Sequence, residues 1–119
     1  MLTKKESEDL FFNSLCNSLG HVSVYGLDLR YDEELYRKLR KEGDSFEDVL
    51  MSILRGGGTL TLIDTEGETY NSTITLQDVH TRVCNTPFRH LVNAINEEDD
   101  AETGDAILQT VFFKEVIFG

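Results

Sequence analysis

Residues 59–76 read TLTLIDTEGETYNSTITL, and this stretch decides the fold class. Apolar and polar residues alternate over 59–64 and again over 68–76, which is the period of a half-buried β-strand. Between the two runs, residues 65–67 end in a glycine that suits a turn position with positive φ. The stretch therefore predicts a β-hairpin. Its core-facing residues are Leu60, Leu62, Ile74 and Leu76.

Apolar residues at helical spacing predict helices on both sides of this hairpin. Capping patterns, such as Thr3 with Glu6, mark where helices begin. A strand is also predicted over 21–25, continuing past a bend at Gly26. The composite is one domain, 1–119, with an α+β fold in which a small antiparallel sheet, centred on the hairpin, packs against about five or six helices. The predicted helices cover about 4–19, 33–41, 46–55, 77–85, 87–95 and a last segment from about 104.

The last two predicted helices have recognisable start signals. Thr86 is the predicted cap of the first, with Pro87 in the first helical position, where its missing N–H costs nothing. Thr103 is the predicted cap of the second. The apolar residues of the first helix are Phe88, Leu91, Val92 and Ile95, and the inward residues of the second are Ile107, Leu108, Val111 and Phe112.

Charge is the strongest compositional feature. Twenty-two acidic residues stand against eleven basic ones, for a formal net charge of −11. Such a surface repels nucleic-acid phosphates and anionic membranes, and it attracts a basic protein surface. No stretch approaches the roughly 20 apolar residues that cross a bilayer. The first residues also do not match a secretory or mitochondrial leader, so we expect a cytoplasmic protein. We expect no cofactor. In that compartment, Cys16 and Cys84 are expected to be buried free thiols.

The leading functional hypothesis is a non-enzymatic acidic protein that inhibits or regulates a partner by binding its basic surface. Phage and mobile-element inhibitors that imitate nucleic acid offer an analogy of composition. Residues 96–105 form an acidic loop, but they do not match the calcium-binding loop of an EF-hand, because Ala101 and Thr110 would occupy ligand positions. The candidate partner-binding residues are Glu97, Glu98, Asp99, Asp100, Glu102 and Asp105, with Glu66 and Glu68 at the hairpin tip as a second patch.

A second hypothesis is a small metal-binding protein or enzyme that uses His80, Cys84 and His90. His80 and Cys84 lie four residues apart on a predicted helix and therefore share a face. Structural zinc sites usually carry paired Cys-x-x-Cys motifs, and this sequence has none. Hydrogen-bonded histidines and inert core thiols fit the pattern equally well, and no residue is assigned a catalytic role.

A third hypothesis concerns the apolar C-terminus. Its side chains either complete the domain's own core or form a homodimer seam in an oligomeric structural subunit. Periodicity leaves open whether 113–118 is helix or strand. The residues of the predicted interface are Phe112, Phe113, Ile117 and Phe118.

Overall fold

Helices and a small antiparallel sheet build the molecule, which confirms the predicted α+β class. The computed structural model describes residues 2–67, 69–98 and 100–118. Its helices are α1 (Lys4–Val22), α2 (Glu33–Leu39), α3 (Phe46–Arg55), α4 (Leu76–Arg82), α5 (Phe88–Ile95) and α6 (Ala101–Phe113). Its strands are β1 (Leu27–Arg30), β2 (Leu60–Asp64) and β3 (Ser72–Ile74).

The predicted hairpin is present as β2 and β3, in the strand order β1-β2-β3. Leu60 pairs with Ile74 and both are buried, as the alternation requires. The second strand is shorter than predicted, because Leu76 begins α4 instead of extending β3. Thr75 precedes that helix, and its backbone N–H donates to the Asp78 carboxylate over 2.8 Å. A capping box therefore ends the strand.

The strand predicted over 21–25 is wrong. Helix α1 runs through Gly20 to Val22, and a short 3₁₀ turn follows at Ser23–Tyr25. Val22 lies seven residues after Leu15, so a helix places both in the core, whereas Val24 is 80% exposed. The strand that does form, β1, begins only after Gly26, whose φ is 81°.

Helices α1 and α6 pack closely through small residues, which we call the close-packed seam (Ser14, Ser18 and Gly104). A Cβ on Gly104 would overlap the Ser18 hydroxyl and lie 3.1 Å from the Ser18 Cβ. The Ser18 hydroxyl donates to the carbonyl of Ala101, and that of Ser14 to Leu10, each over 2.8 Å. Buried hydroxyls are tolerated at this seam because their hydrogen bonds are made.

The start of α6 differs from the prediction. Asp100 caps the helix by accepting a hydrogen bond from the backbone N–H of Thr103 over 2.9 Å. Thr103, the predicted cap, lies inside the helix and is buried. All residues from 103 to 112 are buried, so α6 is the central helix of the domain.

Helix α5 faces the core with its small and polar residues. His90 and Ala94 are buried, while Phe88 is 81% exposed and Ile95 is 53% exposed. The predicted Thr86 cap is wrong, because the carbonyl of Pro87 accepts the first helical hydrogen bonds. We call the apolar side of α5 the α5 stripe, in which Phe88 and Ile95 are exposed, Val92 is partly buried and Leu91 is partly buried against the core.

No helix within residues 2–67, 69–98 and 100–118 is both long and apolar enough to span a membrane.

Candidate functional site

A groove of about 440 Å³ opens between α1 and the end of α5. Its floor is apolar and its rim is acidic. We call it the α1–α5 groove. Its lining residues are Leu2, Glu6, Asp9, Leu10, Phe12, Asn13, Ala94, Ile95 and Glu97.

The α1 side of the groove is set by the start of that helix. Thr3 and Glu6 form the predicted capping box, with the backbone N–H of Thr3 donating to Glu6 Oε1 over 2.8 Å. Hydrogen bonds from the Thr3 backbone and hydroxyl hold the pKa of Glu6 below its usual value. Helical spacing then places Asp9 and Asn13 on the same side as Glu6. Glu6 therefore remains an anion at the rim at neutral pH.

The α5 side is set by a Schellman motif at the helix end. The N–H of Glu98 donates to the carbonyl of Asn93 over 2.8 Å, and that of Glu97 to Ala94 over 3.2 Å. Glu97 adopts a left-handed conformation with φ of 58°, which glycine usually occupies. The motif fixes the position of the Glu97 backbone at the groove.

Few cations balance this rim. Lys5 pairs with Asp9 over 2.9 Å, but both side chains are mostly exposed, so the pair is weak. Across the part of the chain that the structure describes, Glu97 has no ion-pair partner. The groove thus combines apolar contact area with negative charge.

The predicted acidic loop divides into exposed and internal residues. Glu97, Glu98 and Glu102 are exposed at the turn between α5 and α6. Asp100 is the α6 cap, and the backbone N–H of Thr103 holds the pKa of the Asp100 carboxyl below its usual value. Asp99 lies outside the described residues.

Asp105 is not part of the accessible acidic surface. Asp105 is only 5% exposed. Its carboxylate accepts hydrogen bonds from the Tyr25 hydroxyl over 2.6 Å and from the Gln109 amide over 3.2 Å. Asp105 therefore leaves the set of docking candidates. The physical reason is that Asp105 lies in the second turn of α6, within the stretch 103–112 that is buried throughout.

Of the second predicted acidic patch, at the hairpin tip, the structure describes only Glu66. Glu66 is exposed in the turn between β2 and β3, and its side chain lies beside Gly26. Glu68 lies outside the described residues. We place no docking role on this turn.

The structure does not bring His80, Cys84 and His90 together. His80 Nε2 lies 2.8 Å from Glu8 Oε2, where α4 meets α1. His90 is buried on α5, with its Nδ1 3.3 Å from the Thr103 hydroxyl. Cys84 and Cys16 are free and exposed, so the expected buried thiols are wrong. In 2–67, 69–98 and 100–118, no group of three or more His, Cys, Asp or Glu side chains is placed to hold a metal ion.

A second, polar pocket of about 420 Å³ lies where the end of α1 meets α5, α6 and the C-terminal tail. Burial, the hydrogen bond to Asp105 and its charge raise the pKa of Tyr25 to about 12, so its hydroxyl stays protonated and acts as a donor. Among the described residues, no serine, threonine or cysteine lines this pocket. The polar residues that line it are His21, Tyr25, Arg89, His90, Glu102 and Asp105.

The C-terminal tail folds back on its own domain. Lys114 reverses the chain with φ of 70°, and residues 115–118 form neither helix nor strand. Gln109 Oε1 accepts from the N–H groups of Ile117 and Phe118 over 2.7 and 2.8 Å. The Phe118 ring stacks on Tyr25, with centroids 4.8 Å apart.

These contacts place most of the predicted dimer interface inside the monomer. Phe112 is 2% exposed and belongs to the core, and its ring centroid is 6.3 Å from that of Phe11. Phe113 and Phe118 are half-buried and pack with Tyr70. Of the two alternatives for the apolar C-terminus, the structure supports the domain's own core.

No family model, no curated protein and no solved structure matches this chain. A function must therefore be inferred from the residues of this chain and their geometry.

Sequence reasoning missed the α1 half of the groove. The signal was present, because Glu6, Asp9 and Asn13 recur at helical spacing beside Leu10. The spacing of these residues on α1 does not tell which side of α5 packs next to them.

Proposed function

We propose that this protein is a non-enzymatic interaction protein whose acidic surface binds a basic surface on another protein and so inhibits or regulates that partner. The net charge of −11 supports this, because it produces a field that attracts cations and repels phosphates. The proposal includes a cytoplasmic location.

One observation carries the proposal. Glu97, Glu98 and Glu102 present exposed carboxylates around a single turn, and within the described ranges no cation pairs with any of them. The Schellman motif and the Asp100 cap hold the two ends of this turn. A fixed array of charges loses little conformational entropy on binding, which favours association.

The same array suits a partner that normally binds nucleic acid. Lysine and arginine side chains that neutralise phosphates also form charge-assisted hydrogen bonds with carboxylates. A carboxylate surface placed there would compete with the nucleic acid. Attraction of this kind raises the association rate and weakens as salt screens it over about 8–10 Å.

The test is a matched pair of charge reversals. Glu97→Lys, Glu98→Lys and Glu102→Lys together change the net charge by as much as Glu33→Lys, Glu34→Lys and Glu42→Lys, which are exposed residues in and near α2. A photo-crosslinker at position 96, which is exposed beside the turn and unchanged in both triple variants, is used in extract of cells that make the protein, at low and high salt. We expect a crosslinked basic protein that the first triple variant loses and the second retains.

Circular dichroism shows whether both triple variants are folded. If the two variants lose the crosslink equally, net charge alone acts and the α5–α6 turn is not the binding surface. If high salt leaves the crosslink unchanged, the electrostatic basis of the proposal is wrong.

A further inference from the structure

The α5 stripe is an apolar helix face that the domain covers only in part, because its two end residues, Phe88 and Ile95, are exposed. Phe88 and Ile95 are 81% and 53% exposed, although removal of such large apolar side chains from water is favourable. They lie seven residues apart with Leu91 and Val92 between them, so the stripe extends for two helical turns, or about 10 Å. A stripe of this length matches the i, i+3/i+4, i+7 spacing by which one helix docks on another.

The stripe continues into the α1–α5 groove, because Ile95 belongs to both. Leu2 and Leu10 supply more apolar surface there, and Glu6, Asp9 and Glu97 stand at the edge. An occupant of this surface must therefore be apolar along one side and cationic along its margins.

A second copy of this chain does not meet that requirement. Each copy carries a formal charge of −11, and a two-fold contact would bring two acidic rims together. Like charges across an interface oppose association. An anionic lipid surface is excluded by the same repulsion.

We propose that the α5 stripe and the α1–α5 groove together bind an amphipathic helix of a partner protein, with apolar residues on the stripe and Lys or Arg side chains at Glu6, Asp9 and Glu97. The proposal rests on the proposed function for the sign of the partner's charge, and it adds the site and the shape of the segment. The partner's helix lies on α5 and places its cations on both sides.

The probe is a leucine–lysine amphipathic helix of about 18 residues, or five turns, with a fluorescent label. A peptide of the same composition in scrambled order, without an apolar face, is its control. The full chain is titrated at low and high salt as wild type, as Phe88→Ser with Ile95→Ser, and as Val24→Ser. Val24 is a matched control because it is 80% exposed and lies outside the groove.

We expect the amphipathic helix to bind the wild type and the Val24→Ser variant alike. The affinity of the double variant for the amphipathic helix should fall at least about tenfold, because two apolar anchors are lost. Backbone amide shifts measured by NMR should concentrate at Leu10, Asn13 and Val92. Reversing Glu6, Asp9 and Glu97 to lysine should also weaken binding, with the folded state checked by circular dichroism.

Three outcomes would overturn the inference. Equal binding of the scrambled peptide, with shifts spread over the acidic surface, would reject the groove but leave the basic-partner function standing. Concentration-dependent dimerisation that Phe88→Ser with Ile95→Ser abolishes would make a second copy the occupant. Failure of the amphipathic helix to bind at low salt would also reject the groove, while the crosslinking experiment tests the function separately.

Discussion

Helices α1 and α5 use their surfaces in opposite ways. On α1, the side that faces α6 buries three serines, Ser7, Ser14 and Ser18. On α5, Phe88 points to solvent and a histidine faces the core. Hydrophobicity alone would place Phe11 and Leu15 of α1 correctly in the core, but it would miss the buried serines of α1 and the exposed Phe88 of α5.

Close packing acts together with apolar character in selecting the buried face of α1, where Phe11 and Leu15 join the core and serines lie at the contact with α6. Small side chains let two helix backbones approach, and Gly104 of α6 has no side chain at the point of contact with Ser18. The hydroxyl of Ser18 is satisfied by a carbonyl of the partner helix. At Ser18, packing density is gained without leaving the buried hydroxyl unpaired, whereas the buried Ser7 hydroxyl has no hydrogen-bond partner among the described residues.

The largest expected effect comes from closing the space at the seam. Gly104→Ala should lower the free energy of unfolding by about 2 kcal/mol, because overpacking a tight contact costs roughly 1–3 kcal/mol. Gly20→Ala is the control: nothing lies within 4 Å of its Cβ position, and it also lies inside a helix. There, better helix propensity should raise the stability by about 0.5–1 kcal/mol. Urea unfolding measures the free energy of unfolding of both variants. Equal changes in the two variants would contradict the tight contact at the close-packed seam.

A smaller effect should come from the ion pairs that hold α1 on its other side. Glu8 accepts from Arg55 Nε over 2.8 Å and pairs with His80 over the same distance. Burial raises the pKa of Glu8, but the hydrogen bonds from His80 and Arg55 outweigh it and lower the pKa below 4.5. The unfolded chain therefore binds the proton first, so this contribution is present above pH 4.5 and is lost as the pH falls through the folded-state pKa.

Replacing Glu8→Gln should accordingly lower stability by about 1–2 kcal/mol at pH 7, toward the low end of the roughly 1.5–3 kcal/mol of hydrogen bonds to a charged group, because the Arg55 side chain is 55% exposed. The difference from the wild type should shrink as unfolding is measured at decreasing pH below 4.5. Asp9→Asn, at an exposed pair, serves as the control and should change little. A difference for Glu8→Gln that stays constant with pH would show that the charge of Glu8 does not act in this way.

The end of α5 offers a substitution that should stabilise the protein. Glu97→Gly removes a side chain from a left-handed position and should raise the free energy of unfolding by about 1 kcal/mol. Lys114→Gly, at the matching position of α6, should act similarly. A loss of stability in thermal unfolding of Glu97→Gly would mean that the carboxylate makes a stabilising contact.

The smallest expected effect is at the α5 stripe. Phe88→Ser should change the stability by no more than about 0.5 kcal/mol, because the side chain is 81% exposed. Phe11→Ser, where the ring is fully buried, is the contrasting variant and should destabilise strongly. If Phe88→Ser unfolds the domain, the stripe is part of its core and not a docking surface.

Local features of the fold followed from the sequence, because they depend on interactions between near neighbours. The capping box at Thr3 and the buried Leu60, Leu62 and Ile74 of the hairpin were predicted correctly, whereas Leu76 begins α4 instead of extending the second strand. Each depends on residues two to four positions apart, where side-chain direction is fixed by the backbone period.

Contacts between distant segments decided the rest. The length of α1 depends on Val22 reaching a core made by other elements, and the internal position of Asp105 depends on Tyr25, eighty residues away. The sequence by itself determined charge, fold class and most helix starts. The exposure of Phe88 and Ile95 on α5 came from the tertiary packing, because burial depends on which surfaces meet, and a periodic pattern specifies a face without specifying its neighbour.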